Sequence, residues 1–256
     1  MELKIATTED RGRLWDVWKE CFGLDNEYLH LFQNLVLAPT QSPTFILQER
    51  GELLSTFTLL PIQYLTAGGR CFNGAYLAAV ATPQKARGHH YFSQLFRMAM
   101  ALNNPQIKEL DFILVRPAEK NLTEIYRREG FDIGIKNSIT DSFEITPSDT
   151  MPYDKLNMAD KEAVTKLVEE IATNLKSFKP LFLWDSSVIE FVVADSFSNG
   201  KTRTQLNYFK ALQLAKNTSI IEERVVAETD FAFVKILNPS LTSQDFTNAL
   251  FLFTLE

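Results

Sequence analysis

The run GAYLAAVAT (residues 74–82), continued by PQKARGHHYFSQLF (residues 83–96) and by DFILVRPAEKNLTEIYRREGF (residues 111–131), decides the fold. Residues 73–82 are small and apolar without helical spacing, the signature of a buried strand. The period then changes: Tyr91, Phe92, Leu95, Phe96, Ala99 and Met100 recur every three or four residues and mark a helix buried along one side. Asn103-Asn104-Pro105 stops it. Phe112–Val115 is a fully apolar strand suited to the middle of a sheet, and a helix over 121–129 ends at Gly130. The order is therefore strand, turn, helix, strand, helix. A strand that delivers the chain to a helix N-terminus leaves backbone N–H groups unpaired there, and with the helix dipole they favour an anion, a pyrophosphate above all. Gly88 permits close approach of a ligand to the main chain, and Arg87 adds positive charge. An ordinary strand-to-helix turn shares these features, so alone they carry little.

Outward from this stretch, a short strand is expected at Leu3–Ala6. A helix capped by Thr8 follows, with Leu14, Val17, Trp18, Cys21 and Phe22 on its apolar side, then a second helix over Asn26–Leu37 ended by Pro39 and Pro43. Thr44–Gln48, a turn at Glu49–Glu52, and a long strand Leu53–Leu65 bent or broken at Pro61 read as a meander. Short strands are expected at Ile133–Ile135 and Ser142–Ile145.

Pro147–Pro152 reads as a connection between a first domain, residues 1–147, and a smaller α/β domain, residues 153–256. Beyond it, Asp160 heads a helix with apolar residues at 163, 164, 167, 168, 171, 172 and 175. A helix over Trp184–Phe197, a turn at Asn199-Gly200, and strands at Val225–Val226, Phe231–Leu237 and Leu250–Leu255 complete the reading.

Composition narrows the function classes. The 256 residues carry 26 Lys+Arg and 32 Asp+Glu, a net charge of −6, which speaks against binding a nucleic-acid backbone. The longest apolar run, Ala75–Ala81, is too short to span a bilayer, and the first residues show no secretory pattern. Cys21 and Cys71 form no CxxC pair, so a reducing cytoplasm is the expected home. His89-His90 are adjacent and point apart, with no partner at ligand spacing, so no metal is expected. Twenty Phe imply broad faces that must be covered.

With these residues in hand, the chain resembles the GCN5-related N-acetyltransferase (GNAT) superfamily over about its first 145 residues. That family grips the pyrophosphate of acetyl-CoA with Arg/Gln-x-x-Gly-x-Gly/Ala at a strand-to-helix turn, and carries a later helix ending in Tyr-x-x-x-Gly-Phe. Tyr126-Arg-Arg-Glu-Gly130-Phe131 matches the second motif at every defined position. In the first, Arg87 takes the leading place, His90 stands where the family has glycine, and Phe92 stands at the second Gly/Ala. The second half, through FKPLFLW (178–184) and the apolar terminal strand, is similar to larger acetyltransferases of the enhanced-intracellular-survival type, which add a partial second acetyltransferase-like unit.

The resemblance implies a GNAT-like mixed α/β fold with a mostly antiparallel central sheet flanked by helices. It also implies acetyl-CoA as co-substrate, without metal, and direct transfer to a primary amine of a small acceptor. Main-chain groups of Ala79, Val80 and Ala81 would hold the pantetheine arm and polarise the carbonyl, Arg87, Gly88, His89, His90, Tyr91 and Phe92 would form the pyrophosphate turn, and Tyr126 would be the general acid. Candidates for the general base are Tyr76, a water chain and the carboxylate of Glu256, the last because the related enzymes bring their chain end into the active site. Arg127–Glu129 reads as a solvated helix end, or as a contact to the CoA 3′-phosphate. Two rivals stay open: a non-catalytic module of this fold that has lost CoA through His90, and a different acyl- or aminoacyl-transferase on a paired version of it. The acceptor and the oligomeric state are not legible.

Overall fold

The computed structural model describes residues 1–102, 104–136, 160–176, 180–198, 230, 232–247 and 249–251. Its strands are β1 (Glu2–Ile5), β2 (Thr44–Glu49), β3 (Glu52–Leu65), β4 (Cys71–Ala81), β5 (Phe112–Val115), β6 (Ile133–Ile135), β7 (Leu181–Trp184), β8 (Ala232–Ile236) and β9 (Leu250–Phe251). Its helices are α1 (Arg11–Phe22), α2 (Asn26–Leu31), α3 (Ala38–Thr40), α4 (Tyr91–Ala101), α5 (Pro105–Lys108), α6 (Thr123–Arg128), α7 (Lys161–Leu175) and α8 (Ser186–Ser198).

All nine strands join one sheet in the order β1-β2-β3-β4-β5-β8-β6, with β7 on β3 and β9 on β7. Only β4–β5 and β7–β9 run parallel, so the sheet is mostly antiparallel. The expected boundary at 147–152 lies outside the described residues. The strands beyond it are hydrogen-bonded into the sheet of the first half: β8 enters between β5 and β6, and β7 extends the β3 edge beyond β2.

Two cores sandwich the sheet. On one face α1, α2 and α8 bury Leu14, Trp18, Leu29 and Phe191 against Ile46, Leu60, Tyr76 and Phe251. On the other, α4 and α6 bury Phe92, Leu95, Phe96 and Tyr126 against Phe45, Phe57, Leu77 and Ile113. The alternation of β4 sends Tyr76 to the first core and Leu77 to the second. Gly74 is required by the β4–β5 register: it pairs with Phe112, and a Cβ there would lie 2.3 Å from the Phe112 ring.

Several expectations are corrected. Pro61 does not break β3, which runs unbroken from Glu52 to Leu65. The Leu59 N–H reaches the Pro43 carbonyl on the β2 side, and by alternation the Pro61 nitrogen faces the same edge, in the gap between β2 and β7, so no ladder bond is lost. The expected helix Asn26–Leu37 is α2 followed by a π-helical stretch, Phe32–Leu37. Pro39 does not end it, because proline is tolerated in the first turn of α3, and the chain leaves the helix at Gln41 with φ +50°. The helix expected over Trp184–Phe197 starts only at Ser186, since the apolar Leu181–Trp184 pairs with β3 and β9. The expected cap Thr8 is the first residue of a 3-10 turn capped by Thr7. Asp160 does cap α7, accepting from the Ala163 N–H at 3.1 Å. The strands expected at Ser142–Ile145, Val225–Val226 and 252–255 and the turn at Asn199-Gly200 lie outside the described residues.

Asp10 ties β1 to α1. Its carboxylate, 4% exposed, accepts from the Thr7 N–H at 2.8 Å, from Lys4 Nζ at 2.9 Å and from Arg13 Nε at 2.9 Å. Burial alone would raise its pKa, but the Thr7 amide, Lys4 and Arg13 outweigh it and hold the carboxyl well below the usual carboxylate range. A carboxylate with a depressed folded pKa contributes stability above its unfolded value of about 4 and loses it as pH falls through the folded one. Asp10→Asn should therefore cost about 2 kcal/mol at pH 7. In urea titrations its deficit against the wild type should persist down to about pH 4 and shrink in stronger acid; a deficit unchanged at pH 2 would refute this.

Candidate active site

The site is organised by β4. In the β3–β4 ladder Thr58 faces Ala78 and Thr56 faces Ala81, so Phe57 alone opposes both Ala79 and Val80. This is a β-bulge, and its first residue, Ala79, takes φ +50°. On the other side β4 pairs with β5 only over Gly74–Tyr76, so the residues of the bulge are past the end of that ladder. Among the described residues no strand pairs with the bulge on that side. Ala79 and Val80 are half-buried and Ala81 is buried.

From Ala81 the chain enters the turn. A 3-10 segment, Gln84–Ala86, is pinned from outside: Glu20 Oε1 accepts from the Gln84 N–H at 2.6 Å, and Lys85 pairs with Glu52 at 2.5 Å. Arg87 donates from Nε to the Thr82 carbonyl at 3.2 Å and is exposed. Gly88 and His90 have φ +84° and +58°, and His90 is the N-cap of α4. Left-handed backbone suits glycine, yet histidine is among the side chains that adopt it with least difficulty. Both His90 and His89 are exposed, and the His89 ring lies flat along Tyr91 at 5.4 Å. The His90 side chain therefore lies at the surface of the turn.

Among the described residues no side chain caps α4. By contrast, the Ser187 N–H and hydroxyl at the start of α8 donate to Asp185 Oδ1 at 2.9 and 2.6 Å. The strand-to-helix turn of the second half thus already holds a carboxylate where the turn at α4 leaves its donors open. Burial raises the Cys21 thiol pKa, with Arg87 opposing it in part. Phe92 turns its ring into the core, against Phe96 at 5.8 Å and Tyr126 at 5.5 Å, so a bulky residue at that motif position costs the turn no space.

Tyr126 is buried beneath α4, edge-on to both Phe92 and Phe131. Desolvation raises its phenol pKa well above the ordinary 10, so it stays protonated through the neutral range. Among the described residues nothing hydrogen-bonds its hydroxyl. Tyr76 sits on the opposite face, 5.1 Å from the Trp184 ring and 5.6 Å from that of Phe251, and so is not gathered with Tyr126. Glu256 lies outside the described residues. The sequence gives no sign of the bulge at Ala79 and Val80, because alanine does not announce a positive φ. A cleft of about 490 Å³ lies at the other end of β4, bordered by Pro61, Gln63, Asn73, Gly74, Trp184 and Lys176, and is separate from the turn.

Residues 2–134 match the family model described as an acetyltransferase (GNAT) domain. The chain belongs to the GNAT acetyltransferase family. Among solved structures it is similar to a protein from Enterococcus faecalis described as a "Probable N-Acyltransferase" (14% identity, 75% of this chain and 48% of that one, TM-score 0.52). It is also similar to a GCN5-related N-acetyltransferase from Kribbella flavida (17% identity, 74% and 48%, TM-score 0.48) and to a GNAT acetyltransferase from Brucella melitensis in complex with acetyl-CoA (15% identity, 48% and 80%, TM-score 0.38). The chain spans about half the length of the first two. At these identities the likeness is one of fold. No curated protein matches significantly. Among the described residues no helix of this GNAT chain is long and apolar enough to cross a membrane.

Left-handed alanine and histidine each hold about 1–2 kcal/mol of backbone strain. His90→Gly should relieve it, offset in part by the added freedom of the unfolded chain, and stabilise by up to about 1 kcal/mol. Ala79→Val, branched at Cβ, should destabilise by about 2 kcal/mol or more. Denaturant unfolding of both checks this; a destabilised His90→Gly would contradict the described turn.

Proposed function

We propose that this GNAT protein transfers an acetyl group from acetyl-CoA to a primary amine of a small acceptor. The observation that carries the reading is the bulge at Ala79–Val80, placed where β4 has lost its β5 partner and leading into the uncapped start of α4. The main-chain groups of Ala79, Val80 and Ala81 fit a pantetheine arm. The turn from Arg87 to Phe92, with two left-handed residues and open N–H donors, fits a diphosphate.

Acetyl-CoA, when bound, supplies the activated thioester. The work of the chain is to hold it and the amine in line, to polarise the carbonyl with a bulge amide, to pass the proton that the amine loses to a water chain, and to deliver a proton to the leaving sulfur. Tyr126 suits the last task, because burial keeps the phenol protonated and nothing among the described residues competes for its hydroxyl. Tyr76, enclosed by Trp184 and Phe251, belongs to the packing of the opposite face and is not assigned the base role. The net charge of −6 favours a cationic amine as acceptor.

Acetyl-CoA at about 100 times its dissociation constant should stabilise the protein by roughly 2.7 kcal/mol, read as an upward shift of the melting temperature. Tyr126→Phe should keep the shift and lose at least tenfold in the rate of CoA thiol release with an amine such as spermidine. The absence of any shift with millimolar acetyl-CoA would remove this reading, and a smaller loss in Tyr126→Phe would leave the residue a packing role.

A further inference from the structure

Tyr126 has no hydrogen bond among the described residues to fix its hydroxyl, so the placement of that group is the placement of α6. Six residues cannot hold a helix by propensity alone. What holds α6 is gathered at its C-terminus, at Glu129. The Glu129 carboxylate, only 3% exposed, accepts from Arg97 Nε at 2.9 Å and from Arg97 Nη2 at 2.8 Å, a fork from α4. Its carbonyl accepts from Lys235 Nζ of β8 at 2.6 Å, which sets a cation against the negative end of the helix. The Glu129 N–H and the Phe131 N–H both donate to the Tyr126 carbonyl, at 2.9 and 3.2 Å. One turn of backbone therefore separates the phenol from Glu129, whose buried carboxylate is held by α4 and whose carbonyl is held by β8. Arg127 adds a lateral hold, 3.7 Å from Asp230 and with its guanidinium 5.5 Å from the centre of the Phe233 ring.

We propose that Arg97, Glu129 and Lys235 are positioning residues for Tyr126. Through them α4, which carries the anion turn, and β8, which arrives late in the chain, fix the phenol relative to the turn. The inference rests on the acid role given to Tyr126 above. The physical demand is strict: a proton donor must sit within hydrogen-bond reach of the departing atom, and an error near 1 Å costs about a hundredfold in rate. A buried carboxylate held in two-point geometry by the exposed Arg97 guanidinium meets that demand better than a single-point contact would.

The test labels the seven tyrosines with 3-fluorotyrosine and identifies the Tyr126 ¹⁹F resonance by its loss in Tyr126→Phe. Arg97→Ala and Lys235→Met should each displace that resonance by more than its linewidth, and Arg97→Lys should restore most of its position. Asp10→Asn, less stable but remote from the clamp, should leave it in place. Should Arg97→Ala fail to fold, the double variant Arg97→Ala/Glu129→Gln, which leaves no buried charge, is expected to give the same displacement. An unmoved resonance in folded variants overturns the proposal, and so does an equal displacement in Asp10→Asn, which would mark simple loss of stability. Calorimetry of the wild type with acetyl-CoA separates the two levels. No binding removes the acid role on which the inference rests, whereas binding together with an unmoved resonance removes the clamp alone.

Discussion

Phe57 against Ala79 and Val80 is the constraint on which the site depends. A regular ladder at this point would spend the main-chain groups of β4 on its neighbours. One extra residue in β4 turns the local backbone, and it does so just beyond the last β4–β5 pair. The bulge is affordable because its surroundings over-determine it. The Phe57 ring opposite is buried among Phe45, Phe92 and Phe96, and Ser55 donates to the carbonyl of Ala81, holding the far side of the bulge in register. Left-handed alanine persists under such confinement.

The same aromatic core connects the bulge to the turn. Phe57 meets Phe92 in the first turn of α4, and Phe92 meets Tyr126 in α6. A continuous set of rings therefore runs from the strand that would polarise a thioester, through the helix that would hold a phosphate, to the phenol that would protonate a thiolate. The heavy use of Phe has a specific rationale here. Large flat rings fill the space between sheet and helices with few rotatable bonds, and edge-to-face pairs fix the angles between elements.

Much of this was legible in the sequence because the informative signals were local. The change of period after Thr82, the apolar Phe112–Val115 and the glycine ending α6 each follow from a few adjacent residues, and their elements appear where expected. What was not legible depends on partners far along the chain. Pro61 could be read as a break only while its edge of β3 was assumed to be paired. The assignment of Leu181–Trp184 to a strand rests on β3 and β9, since a short apolar run fits a buried helix equally well. The bulge needs one residue more in β4 than in β3, a count that no single strand reveals. The clamp on Glu129 draws on Arg97 and Lys235, which are 32 positions before and 106 positions after it.

The position of β8 extends this point from reading to physics. Phe112–Val115 is fully buried, so the backbone groups at both of its edges need hydrogen-bonding strands; β4 supplies one and β8, from residues 232–236, the other. Closing so long a loop is entropically slow but adds little to the equilibrium cost, since that cost grows only with the logarithm of loop length. A late strand is thus a cheap way to complete a sheet and a demanding way to assemble one. Until β8 is in place, β5 has one open edge, β6 lacks the partner it has among the described residues, and the carbonyl end of α6 lacks its cation. Tyr126 is then held by its ring contacts and by the Arg97–Glu129 pair from α4, without the hold that Lys235 adds from β8. The candidate site, although its residues come from the first half of the sequence, borders a sheet that is complete only when the second half has joined it.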